Sequence, residues 1–134
     1  MATISERAVG VAAMPAREQA EHRGRKLLVT EEEVGDALRW LATNAAEIGE
    51  ARAAMIRGDR LVQHTEALLM QMSEARSADA RKAEARSSQR WLDATEIEAT
   101  AAGEFEKMRA LREAAMARIE AWRTESASNR SSAR

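Results

Sequence analysis

Five basic side chains fall within a short stretch of the chain, at Arg76, Arg81, Lys82, Arg86 and Arg90, and Trp91 follows directly. Clustered Lys and Arg release counterions from phosphates, and an aromatic face stacks bases, so this pattern suits the backbone and bases of a single strand of nucleic acid. The steps of four to five between the cations keep several of them on one helix face. Asp79 and Glu84 interrupt the run. A solvated helix face with its own ion pairs gives the same pattern, so both readings stand at this point. Each tryptophan has an arginine beside it, in Arg39-Trp40, Arg90-Trp91 and Trp122-Arg123. Adjacent helix positions point apart, so these pairs also fit a Trp in a helix seam beside an Arg in water. A second basic group, Arg109, Arg112 and Arg118, admits the same two readings.

Residues for other chemistry are sparse. His22 and His64 stand alone, with no second ligand at helical spacing, so no metal is expected. Cysteine is absent, which removes thiol catalysis, zinc-thiolate sites and disulfides and fits a cytoplasmic setting. Acids such as Glu96 and Glu104 lie on a weakly apolar helix. No nucleophile sits beside a base, and no glycine-rich phosphate loop occurs. Arg57-Gly58-Asp59 spells an adhesion tripeptide, read as chance within a helix. The expectation is a protein that is not an enzyme and takes no cofactor.

Helices must carry these side chains. The 134 residues suffice for one domain, and 30 alanines against one proline and six glycines favour helix throughout. Aromatic residues make up 3% and charged residues 32%, which suits a narrow seam between long helices better than a wide core. Such a seam buries little per residue, so self-association into a homo-oligomer is expected. The net charge of −1 gives no overall pull towards nucleic acid. Charge is segregated, however. Residues 91–106 hold five acids and no base, whereas residues 107–134 hold seven bases and three acids. Any DNA contact is therefore local. The N-terminus lacks the basic start of a signal peptide, and no stretch approaches the roughly 18 apolar residues of a membrane span.

Residues 1–29 read as a mobile arm, with a short helix up to Met14 ended by Pro15. At Thr30 a helix start is explicit: Glu33 follows at the capping-box spacing, Val29 and Val34 occupy the staple positions, and Glu31, Glu32 and Glu33 complement the helix dipole. The first long helix is expected to run from about Glu31 to Ser73. Its apolar stripe is Val34, Leu38, Leu41, Ala45, Ile48 and Met55, slipping at Gly58 to Leu61, Thr65, Leu68 and Met72, which predicts a bend. Ser77 can cap a short helix with Asp79 in its first turn, and Ser87-Ser88 mark a weak point. The second long helix is expected from about Gln89 to Thr124. Its stripe is Phe105, Met108, Ala115, Ile119 and Trp122. The spacing thus predicts an all-α fold: a coiled-coil-like antiparallel hairpin over residues 30–125, with a flexible N-terminal arm and a disordered, serine-rich tail over 126–134. Trp40 and Trp122 should lie at one end and Trp91 nearer the turn.

Three features in this order carry a resemblance: an Ala-rich start, Lys82 to Arg86; an aromatic after a short break, Trp91; and a closing Arg-Ile-Glu-x-Trp-Arg, Arg118 to Arg123. Together they resemble small helical phage proteins from recombination gene neighbourhoods, and the plan over roughly residues 34–130 is similar to the UvsY family of phage recombination mediators. The resemblance implies a self-assembling helical protein in the bacterial cytoplasm. It would bind single-stranded DNA weakly and contact a recombinase, an annealing protein or a single-strand-binding protein. UvsY-type proteins carry a Lys-x-Arg pair late in the first helix, where this chain reads Thr65-Glu66-Ala67-Leu68. That departure shifts the expected DNA contact to Arg76, Arg81, Lys82, Arg86, Arg90 and Trp91. It also keeps open an alternative, a helical adaptor or structural oligomer that binds only protein.

Overall fold

A computed structural model describes residues 28–134. The expected N-terminal arm, apart from its last two residues, lies outside the described residues. Three α-helices follow one another: α1 (Glu31–Met72), α2 (Ala78–Ser87) and α3 (Gln89–Ser132). The long helices α1 and α3 pack antiparallel along their length, and α2 folds back against the end of α1. The all-α hairpin expected from the sequence is thus the observed architecture.

The start of α1 is built as its sequence dictates. Glu33 N–H donates to Thr30 Oγ1 (3.2 Å), and Thr30 N–H donates to Glu33 Oε2 (2.9 Å), closing the capping box. Val29 and Val34 are both buried, which completes the hydrophobic staple. At 1.5 Å per residue, the 42 residues of α1 extend about 63 Å.

The seam on α1 is Val34, Ala37, Leu41, Asn44, Ile48, Ala51, Met55, Gly58, Val62, Thr65 and Leu69, every one buried or half-buried. The steps alternate three and four without a break, the heptad pattern of a coiled coil. The slip expected at Gly58 is therefore absent: α1 keeps one register through it. Gly58 is itself a seam residue, and a Cβ there would stand 2.9 Å from the Glu98 Cα. Val34, Leu41, Ile48, Met55 and Thr65 of the expected stripe are on the seam, whereas the other large residues of that stripe follow size. Leu38 and Met72, both assigned to it, are 53% and 71% exposed. Leu61 and Leu68 lie on the flank of the seam, whereas the small residues Ala37, Ala51, Gly58 and Thr65 let the backbones approach.

On α3 the seam is Trp91, Ala94, Glu98, Ala101, Phe105, Met108, Arg112, Ala115, Ile119, Trp122 and Ser126, again in unbroken heptads and all at least half-buried. Here the expected stripe is the observed one. Counting ten residues outward from Gly58 and Glu98 sets Ile48 level with Met108, and these two join Ala51 in the central core, with Trp40 and Phe105 packed against it. The same register sets Val34 level with Trp122 and Thr65 level with Trp91. Asn44 and Arg112 occupy facing positions, a polar layer in the seam.

α3 does not end near Thr124. It continues to Ser132, so residues 126–132 are helical rather than a tail. The stretch holds no glycine or proline, and Arg130 Nε and Ser132 Oγ bond the Ser126 and Ser128 carbonyls one turn back (3.3 and 3.0 Å).

Candidate nucleic-acid interface

The basic run predicted to meet phosphate lies on α2 and its flanks. Ser77 caps α2, its hydroxyl accepting from Ala80 N–H (3.1 Å). Ser88 ends α2 with an extended backbone, ψ 140°, and its hydroxyl accepts from Arg90 N–H to open α3 (3.2 Å). Ser87 Oγ donates to the Glu84 carbonyl (2.8 Å), the competing backbone bond expected at this weak point. Because of the break, α2 leaves the line of α3 and lies over the last turns of α1. Ser73 Oγ donates to Glu84 Oε2 and Arg81 Nε to the Ala75 carbonyl (2.7 Å), so the α1–α2 connection is pinned to α2 at two points.

Four of the predicted residues meet structure rather than open water. Lys82 and Arg86, one turn apart, both reach Glu66 on α1, Lys82 Nζ at 4.0 Å and Arg86 Nε at 3.4 Å. The Arg86 guanidinium also stands 5.8 Å from the Trp91 ring centroid, near the limit for a cation–π contact. Trp91 is half-buried at the first seam position of α3, and its indole N–H is buried with no acceptor among the described residues. Arg81 is turned to the backbone, as above. Arg76 and Arg90 are exposed and have no acid within 4.0 Å among the described residues.

Glu66 is the residue that the sequence reading missed as part of this site. Its side chain is only 18% exposed, and it holds two of the five cations from across the hairpin. Chain separations of sixteen and twenty residues leave no local pattern to reveal it. The site therefore carries two readings at once in its geometry: a cationic face with a stacked aromatic, and an internal charge cluster that ties α2 to α1.

In the second basic group only Arg109 is paired among the described residues, and Arg118 is exposed with no acid within 4.0 Å. Arg109 sits between Glu106 and Glu113, 3.5 Å from each, and Arg123 pairs with Glu120 at 3.6 Å. Arg112 is drawn into the seam. His64 is exposed on α1, and His22 lies outside the described residues. Among the described residues no three His, Cys, Asp or Glu side chains gather as metal ligands, and no helix is long and apolar enough to cross a membrane. A shallow cleft between the end of α1 and α2 is lined by Leu69, Met72, Ser73, Glu84, Ala85 and Ser88.

No protein family, no curated protein and no solved structure matches this chain.

Proposed function

We propose that this protein is a non-enzymatic, self-assembling helical accessory of DNA recombination, of the mediator type. It binds single-stranded DNA through the α2 face and contacts a recombinase, an annealing protein or a single-strand-binding protein. The observation that carries this reading is the convergence of Lys82, Arg86 and Trp91 at one end of the hairpin, flanked by the free cations Arg76 and Arg90. Phosphates would take Lys82, Arg86 and Arg90, and a base would stack where Arg86 now lies over Trp91. The UvsY-like order of Lys82–Arg86, Trp91 and Arg118–Arg123 supports the same reading.

The test is fluorescence anisotropy of a labelled single-stranded oligonucleotide with wild type and with the Lys82→Glu, Arg86→Glu, Arg90→Glu triple variant. Binding by wild type and its loss in the variant is the expected result. Equal affinities would refute the site.

One observation favours a second reading, a helical adaptor that binds only protein: Glu66 already neutralises two of the five cations. Such an adaptor would leave the oligonucleotide unbound even at low salt.

A further inference from the structure

The hairpin is short of core. Of its nine buried apolar residues five are alanine, and among the described residues no large side chain is fully buried. At the same time large apolar side chains remain in water at heptad spacing. They occupy the heptad position just before the first of the two seam positions, Val34 and its equivalents on α1 and Trp91 and its equivalents on α3. On α1 the exposed one is Leu61, with half-buried Trp40 and Leu68 at equivalent positions; on α3 they are Ile97 and Leu111. Glu47, Glu104 and Arg118 are among the charged residues that fill other such positions. Leu61, Ile97 and Leu111 are 38%, 55% and 43% exposed. In an antiparallel pair these positions from both helices fall on one flank of the seam. The register set by Gly58 and Glu98 brings Leu61 and Ile97 to nearly one level. The opposite flank also exposes Leu38 and Met116, at 53% and 56%, but α2 is anchored there through Glu66, and Arg52, Asp59, Arg109 and Arg123 charge it.

We propose that the Leu61–Ile97 flank is an interface that seats a second copy of this chain, with a two-fold axis along the hairpin, giving a four-helix bundle. Self-complementarity argues for this occupant. The axis places α1 of one copy beside α3 of the other, still antiparallel and at the same level. Leu61 of one copy then faces Ile97 of the other, and the reverse pair repeats it, as an isologous interface requires. Burying these residues supplies the apolar core that one hairpin lacks. The rim agrees in charge. The outer positions bordering this flank set Glu50 level with Lys107 of the second copy. Lys107 has no acid within 4.0 Å among the described residues, and Glu50 is engaged only with Arg57. The inference deepens the self-assembly in the proposed function and is independent of DNA.

Sedimentation equilibrium of the full chain at tens of micromolar tests it, beside far-UV circular dichroism. Wild type should show twice the chain mass. Leu61→Glu with Ile97→Glu should show the chain mass with helicity retained, since both sites are already in water in the hairpin. Lys107→Glu should weaken the dimer several-fold, and Glu50→Lys added to it should restore the association. A monomeric wild type, or a double variant that keeps its mass, would overturn the interface; failure of the charge swap to restore association would overturn the placement of the axis. The two readings separate cleanly. A dimer indifferent to DNA refutes the DNA-binding face and upholds this interface, whereas a monomer that binds DNA refutes the interface and the self-assembly and upholds the DNA-binding face.

Discussion

Gly58 on α1 packs against the backbone of Glu98 on α3 so closely that a methyl group at Gly58 would stand 2.9 Å from the Glu98 Cα. The obstacle is main chain, which cannot rotate away as a side chain can. This contact fixes the register of the hairpin, and through it the placing of Trp91 beside the end of α1.

Two glycine substitutions should therefore have opposite signs. In a helix interior Gly→Ala gains about 1 kcal/mol in propensity. At Gly49 nothing lies within 4 Å of the new Cβ, so Gly49→Ala should raise stability by roughly 0.5–1 kcal/mol. At Gly58 the helices must part, and an overpacking cost of about 1–3 kcal/mol should exceed the gain. Paired thermal melts followed by circular dichroism check this. A Gly58→Ala chain more stable than wild type would show that α1 and α3 are not in close contact there.

Thr30→Ala should lower stability by about 1 kcal/mol, the ordinary loss of an N-cap oxygen. Both bonds of the capping box depend on residue 30 and Glu33. Thr30→Ser keeps the oxygen and should stay within a few tenths of a kcal/mol of wild type. Chemical denaturation of the three proteins provides the comparison, and an unaltered midpoint for Thr30→Ala would contradict the cap's role.

Glu66→Gln bears on the candidate site. The Glu66 carboxylate stands where a phosphate would stand, between Lys82 and Arg86. Removing its charge should free both cations and tighten single-strand binding by about 1 kcal/mol, roughly five-fold. The same change loosens a tie between α2 and α1, so helicity is followed in parallel. Weaker or unchanged binding by a fully helical Glu66→Gln would place the DNA contact elsewhere.

The sequence made the α3 seam legible because Phe105, Met108, Ile119 and Trp122 are large and in heptad register. The cap at Thr30 and the helix start at Ser77 were legible too, since each is a local pattern of side chain and backbone N–H. The α1 seam was legible in part, at Val34, Leu41, Ile48, Met55 and Thr65. Ala37, Ala51 and Gly58, which are buried on it, carry little hydropathy, whereas Leu38 and Met72 are large but lie off the seam. At the candidate site, the run of cations and Trp91 was plain. Their capture by Glu66 was not, because it depends on the angle at which α2 leaves α3 at Ser88.

The central claim is that the α2 face meets phosphate, and the salt dependence of oligonucleotide binding tests it most directly. Anisotropy titrations of a labelled single strand across a salt series should give affinity that falls with salt, with a slope of about −2 in log–log form for contacts at Lys82, Arg86 and Arg90, at roughly 0.7 per contact. Binding should be tighter than to duplex of the same length. A slope near zero, or no binding at the lowest salt, would contradict the claim and leave the protein-binding adaptor as the account of this hairpin.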